Sequence, residues 1–227
     1  VAYGRGIIYG RAPVAPTISE LNLSSVEVST SGLGSHGVVA GGEYIVHGIS
    51  QGTSAGNATL TDTVITTLGG KANAAQVAFG GTLTSTNTTY STASDEANGV
   101  SADNGKVTLI GGSITTQGNW SNGLWAQNGA EINSSAVITT DGAVSRGVYA
   151  QNASITLTGG SVTTSGSSGI GLVAAGENSR IISNVAVTTS GEWASGLVAD
   201  DKATVVLSDM ASINTSGHWA AGVSGSF

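Results

Sequence analysis

Residues Val107–Ala130 read VTLIGGSITTQGNWSNGLWAQNGA, and much of the chain repeats this stretch: Ile155–Gly176 reads ITLTGGSVTTSGSSGIGLVAAG. Aligning the copies puts threonine in one column at Thr30, Thr67, Thr92, Thr116, Thr140, Thr164, Thr189 and Thr215, with steps of 37, 25, 24, 24, 24, 25 and 26. Two residues earlier runs an apolar column of Val28, Ile65, Tyr90, Ile114, Ile138, Val162, Val187 and Ile213. Further on come a small-residue column (Gly37, Ala75, Gly99, Gly123, Gly147, Gly171, Gly196, Gly222) and an alanine column (Ala40, Ala78, Ala102, Ala126, Ala150, Ala174, Ala199). A period in this range is the mark of a repeat architecture. The one long step is an insertion of about a dozen residues around 43–57, expected to form a surface loop.

Each copy divides into three short alternating runs, such as Val107-Thr108-Leu109, Ile114-Thr115-Thr116 and Leu124-Trp125-Ala126. Alternation at period two means a strand with one face buried, and no stretch carries an apolar stripe at helical spacing. Three strands and three corners in about 24 residues make one coil of a parallel β-helix. Each coil then lies about 4.8 Å above the last, so that like residues stack on like. The expectation is a single-stranded parallel β-helix of about eight turns, roughly 40 Å long, occupying residues 17–227. Gly118, Gly142, Gly166, Gly191 and Gly217, two residues past the threonines, are expected to supply positive φ at a corner. Residues 1–16, which hold both prolines and fit no copy, are expected to be an extension, a cap or a segment foreign to the repeat. A cap is needed because open strand ends template aggregation, and residues 1–22 are the candidate. At the other end the repeat stops within a copy, at Phe227, as in a C-terminally truncated solenoid.

Composition narrows the function. The 227 residues include 35 glycines, 2 prolines and no cysteine, with 39% apolar, 9% charged and a net charge of −7. Disulfides, thiolate metal sites and cysteine nucleophiles are thereby excluded. A pI of about 4.7 leaves no basic stripe for nucleic acid. No apolar run approaches the roughly 18–20 residues of a membrane-spanning helix, so no membrane insertion by this segment is expected.

The consensus aliphatic-x-Leu-x-Gly-Gly-Ser-aliphatic-x-Thr-x-Gly, followed by Gly-aliphatic-x-Ala-x-x-Gly-Ala, is clearest in 107–130, 155–176 and 205–223. At these positions the chain, over residues 23–227, resembles the passenger domain of pertactin-type and AIDA-type autotransporters of Gram-negative bacteria. That resemblance implies a right-handed coil for the parallel β-helix, and secretion and display at the cell surface, anchored at the outer membrane in the full-length protein. The implied role is adhesion or self-association, with a protein or glycan of a host or neighbouring cell as partner.

Catalytic patterns are few. Pectin-degrading β-helix enzymes need clustered carboxylates, whereas Glu27, Asp62, Asp95, Glu96, Asp103, Glu131, Asp141, Glu177, Glu192 and Asp209 are scattered. The densest spot is Asp200-Asp201, with Asp103 and Glu177 expected in nearby coils as a weak cation site or a solvated corner. His36, His47 and His218 occupy different parts of the repeat. Neither Gly-Asp-Ser-Gly nor a Gly-x-Ser-x-Gly elbow occurs. The outward polar file Ser29, Thr66, Ser91, Thr115, Thr139, Thr163, Thr188 and Asn214 has mixed flanks, unlike an ice-binding face, and suits a solvated sheet.

The aromatic residues are more informative. Trp120, Trp193 and Trp219 each lie four residues past a column threonine and so share one corner, while Trp125 and Tyr149 are expected to point outward from the third run. These five are the candidate contacts for a sugar ring or protein partner. The competing expectation is that each indole folds over its corner to shield the core. The sequence therefore reads as a non-catalytic adhesive rod needing no cofactor. Its alternatives are a carbohydrate-active β-helix enzyme and a passive spacer.

Overall fold

The computed structural model describes residues 19–46, 49–208 and 210–225. Residues 1–18, which include the proposed extension, and His47, Asp209 and Phe227 lie outside that range.

The described chain is an all-β solenoid of three parallel sheets, each with eight strands. Within these sheets each inner strand pairs with its equivalents in the preceding and following coils. The first sheet holds Ser19–Ser24, Gly56–Thr61, Thr82–Thr86, Lys106–Ile110, Glu131–Ser134, Ser154–Leu157, Arg180–Ser183 and Thr204–Leu207. The second runs from Glu27–Thr30 to Ser212–Thr215 and the third from Val38–Ala40 to Ala221–Gly225. Ser19–Ser24 already pairs with Gly56–Thr61, so residues 19–22 belong to the ladder and not to a cap.

The threonine and apolar columns hold through the whole second sheet, from Val28↔Ile65 and Thr30↔Thr67 to Val187↔Ile213 and Thr189↔Thr215. In the third sheet one copy is shifted by a residue from the expected alignment. Val38 pairs with Ala75 and Ala40 with Val77, while Val77 pairs with Ala102. The alanine column therefore passes through Val77, not Ala78, and the small column through Ala74, not Ala75. Ala74-Ala75 offers the same side chain in either register, and the alanine column accommodates a valine at Val77.

Inward positions are filled by layers. Ile65, Ile114, Ile138 and Val162 from the second sheet meet Leu83, Val107, Ile132 and Ile155 from the first and Val100, Leu124, Val148 and Leu172 from the third. In the first sheet one inward column alternates Leu60, Ser85, Leu109, Ser134, Leu157 and Ser183. This alternation of large and small lets successive layers interlock. Tyr90 replaces an aliphatic residue in one layer, and its hydroxyl, buried with it, bonds to Ser85 Oγ at 2.7 Å. Burial drives the Tyr90 phenol well above its ordinary range.

Two local expectations are corrected. The insertion between Val38–Ala40 and Gly56–Thr61 is not a plain loop, because Gly42–Val46 and Ile49–Ser54 form an antiparallel hairpin. The corner glycines do not have positive φ. A Cβ on Gly142 would overlap the Gly118 carbonyl, and one on Gly191 the Gly166 carbonyl. Glycine is needed there for close approach between coils, and the positive φ falls two residues later.

Candidate functional site: an aromatic corner

The corner between the second and third sheets carries one residue per coil in the left-handed region: Lys71, Glu96, Trp120, Val144, Ser168, Trp193 and Trp219, with φ between 54° and 59°. Backbone bonds tie this file together. The Trp120 amide donates to the Ala143 carbonyl, Val144 to Ser167, Ser168 to Glu192 and Trp193 to His218. The left-handed region costs an L-residue roughly 1–2 kcal/mol, least for Gly, Asn and Asp. The other corners mostly follow that preference, with Asp62, Asn87 and Gly111 beside Ser25 at one, and Asn104, Asn128, Asn152, Gly176 and Asp201 beside Phe79 and Lys202 at the other. The aromatic corner breaks it with three tryptophans and a β-branched valine. Nothing in the solenoid geometry asks for those side chains.

Trp120 and Trp193 are each 56% exposed and Trp219 68%. The indoles therefore do not fold over the corner as lids on the core. Trp193 and Trp219 stack in successive coils, with ring centroids 5.5 Å apart and planes 11° from parallel. The His218 ring meets Trp219 edge-on at 5.4 Å. Around the file stand exposed carboxylates: Asp95, Glu96, Asp141 and Glu192. Asp95 Oδ1 accepts from the Asn119 amide at 2.8 Å, and Asp141 Oδ1 from Ser165 Oγ at 2.8 Å. Lys71, the lysine of this corner, pairs with Glu96 at 3.4 Å.

Trp125 and Tyr149 form a separate pair on the outer face of the third sheet. They occupy facing positions in adjacent coils and are half-buried, with centroids 6.4 Å apart and planes 5° from parallel. The Arg146 guanidinium lies 4.6 Å from the Tyr149 ring centre, a cation–π geometry. Trp125 Nε1 and Arg146 Nε are buried without a hydrogen-bond partner. The five candidate aromatics thus divide into an exposed corner file and a half-buried wall pair.

Beneath the corner runs a polar ladder that the sequence reading missed. Asn73, Asn98 and Asn122 are buried. Asn73 Oδ1 accepts from the Asn98 amide and from Asn98 Nδ2, and Asn98 Oδ1 accepts likewise from Asn122. The ladder extends upward to the Arg146 amide, and at its foot His36 Nδ1 accepts from the Asn73 amide at 2.9 Å. Burial holds the His36 imidazole below its usual value, favouring the neutral ring that this bond requires. The signal was present in the Asn73, Asn98, Asn122 spacing, hidden by an asparagine-rich composition. The column threonines brace the same corner: Thr67, Thr92 and Thr116 hydroxyls donate to carbonyls five residues on. From Thr140 to Thr189 the equivalent buried hydroxyls make no such bond. There the third-sheet strands begin earlier in the coil, at Arg146, Ile170 and Ser195.

Of the two carboxylates expected in coils near Asp200-Asp201, only Glu177 is there. Asp103 lies four coils from Asp200, through Gln127, Gln151 and Ala175. Its oxygens accept from Gln127 Nε2 and Asn128 Nδ2. Glu177, in the coil adjoining Asp200-Asp201, pairs with Lys202 at 3.9 Å. A cleft lined by Ala78, Phe79, Asp103, Asn104 and Asn128 holds one carboxylate. Among the described residues no three His, Cys, Asp or Glu side chains gather as a metal site requires, and no helix is long and apolar enough to cross a membrane. His36 and His218 sit near opposite ends of the described rod. The chain matches no protein-family model, no curated protein and no solved structure, and the arrangement of its own residues is the ground for a functional reading.

Proposed function

We propose that this chain is a stretch of a surface-displayed adhesive rod, of the autotransporter-passenger kind its repeat resembles, acting without catalysis in attachment to a host or neighbouring cell or in self-association. The observation that carries this reading is the presence of three exposed indoles at backbone positions where tryptophan is unfavourable and the fold does not need it. Strained, exposed residues of this kind concentrate at functional sites. Tryptophan is also the residue most enriched where binding energy is concentrated. Many rods on one surface would present the same corner, so that weak individual contacts sum through multivalency.

The test is attachment of beads or cells displaying the protein, alongside its self-association in solution, before and after the triple substitution Trp120→Asn, Trp193→Asn and Trp219→Asn. Loss of attachment or of self-association, with the solenoid intact by circular dichroism, is the expected result. Unchanged adhesion and association would remove the aromatic corner from the mechanism.

A further inference from the structure

We propose that the cleft at the corner between the third and first sheets is a binding site for a primary alkylammonium group, whose charge meets Asp103 and whose methylenes lie along Phe79. This site is at a different corner from the indoles and does not depend on them. The register explains the cleft. Ala78, Asp103, Gln127 and Gln151 occupy one outward file of the third sheet in successive coils. A methyl group at Ala78 stands beneath longer side chains, and this step leaves a space of about 360 Å³ lined by Ala78, Phe79, Asp103, Asn104 and Asn128. That volume is at the lower end of the range for small-ligand sites. Phe79 is 46% exposed and left-handed, with φ 53°, in a file that continues as Asn104, Asn128 and Asn152. An aromatic residue where the backbone favours asparagine is the kind of strained residue that marks a binding site.

Charge selects the ligand. Asp103 is half-buried, and no lysine or arginine among the described residues pairs with it; Lys71, Lys106 and Lys202 are each engaged with a glutamate. An anion would meet like charge in the cleft, whereas a cation supplies the missing partner and is drawn by the net charge of −7. Each Asp103 oxygen already accepts one bond, Oδ2 from Gln127 Nε2 at 3.0 Å and Oδ1 from Asn128 Nδ2 at 2.8 Å. The carboxylate therefore has no free edge for the two-pronged grip of a guanidinium. A compact ammonium needs only one lone pair from each acceptor that it meets. Asn104 and Asn128 line the same space, and their side-chain oxygens accept no bond from the described residues. A phenyl wall favours a cation on an apolar stem, through cation–π attraction and contact with the methylenes. One carboxylate is too few for a divalent metal.

A heteronuclear NMR titration with cadaverine tests the site, against pentanediol as its uncharged analogue. Cadaverine should shift the Gly80, Asn104 and Asn128 amides, and pentanediol should not. Asp103→Asn should weaken cadaverine binding about tenfold or more, and Phe79→Asn about threefold. Asp62→Asn removes the same charge at another corner and should leave the affinity unchanged. Phe79→Asn introduces the residue that this corner carries in the next three coils, so the fold is kept, and urea midpoints check every variant. A blocked Gly-Lys-Gly peptide and its Nε-acetyl form separate two sources of the ammonium group. Tighter binding of the lysine peptide than of cadaverine assigns the cleft to a lysine side chain of a partner protein, and the reverse assigns it to a free amine; the acetylated peptide should not bind. The proposal is overturned if neither amine moves these amides, or if pentanediol binds as tightly as cadaverine. It is equally overturned if Asp103→Asn or Phe79→Asn binds cadaverine as the parent protein does.

Discussion

The claim that Trp120 is imposed on the fold, and not required by it, makes a sharp thermodynamic prediction. Trp120 is 56% exposed, and among the described residues no other ring stacks on it. An indole less than half buried removes about 100 Å² of apolar surface from water, a loss of at most ~2.5 kcal/mol on truncation. Against this, Trp120→Asn relieves a left-handed backbone cost of about 1–2 kcal/mol. The net loss should not exceed about 1.5 kcal/mol. Comparison with Trp120→Ala isolates the backbone effect, because both variants lose the same ring but alanine keeps the left-handed penalty. Alanine should therefore be less stable than asparagine by about 1 kcal/mol. Ile114→Ala, at a fully buried position one strand earlier, sets the scale of a real core loss at about 2–5 kcal/mol. Urea unfolding followed by far-UV circular dichroism gives all four midpoints. If alanine equalled or exceeded asparagine, the corner would not be left-handed in solution. If Trp120→Asn fell as far as Ile114→Ala, the indole would be a lid on the core. Either result defeats the argument.

Further outcomes follow from other contacts. Gly142→Ala should be strongly destabilising, by about 3 kcal/mol or more, because its Cβ meets backbone of the adjacent coil and not a side chain that can move aside; the urea midpoint reads it. Asn98→Ala strips partners from the amide and Nδ2 of Asn122 and should cost about 2–4 kcal/mol. Hydrogen exchange should show the Asn122 amide losing protection first. His36 has a folded pKa lowered by burial, so its contribution to stability is complete above the unfolded value of 6.5 and is lost as pH falls through the folded value. A His36→Asn variant should lack that increment of acid sensitivity in the difference between paired pH–stability curves.

The solenoid was legible because stacking forces sequence equivalence. A column such as Ile114, Ile138 and Val162 is one physical site repeated along an axis, and its spacing appears directly in the chain. What escaped was whatever period alone does not encode. Gly142 was recognised as a corner glycine, but a glycine needed for positive φ and one needed for close approach look alike in sequence. The one-residue shift at Ala75 and Ala78 falls where Ala74-Ala75 fits either register and a valine stands in the alanine column. The asparagine ladder was obscured because Asn73, Asn98 and Asn122 differ from surface asparagines only in burial. The tryptophans were placed at the right corner from spacing, yet exposed and core-shielding indoles share the same pattern. Only the packing separates them.

Corner chemistry carries the remaining step. In a solenoid whose walls are occupied by ladders, side chains at the corners are the ones that can vary without disturbing a layer. At two of its corners this protein uses that freedom more conservatively, with Asn, Asp and Gly in most of the left-handed positions and Ser25, Phe79 and Lys202 in the others. At the third it places bulky and β-branched residues above a buried run of Asn73, Asn98 and Asn122 whose side chains bond to the backbone of adjoining coils. Such a ladder resists local opening, since moving one coil leaves buried donors without acceptors. A stiff support beneath strained, exposed indoles is what a recognition surface needs, because rings held in place before contact lose little freedom on binding. The ladder reaches only as far as Arg146, whereas Trp193 and Trp219 stand above coils whose buried threonines lack the equivalent bonds and support one another by stacking. Asn98→Ala should accordingly loosen Trp120 more than Trp193, a difference that the fluorescence anisotropy of single-tryptophan variants would resolve. Equal loosening at both would mean that the ladder and the indoles are unrelated features of the same corner.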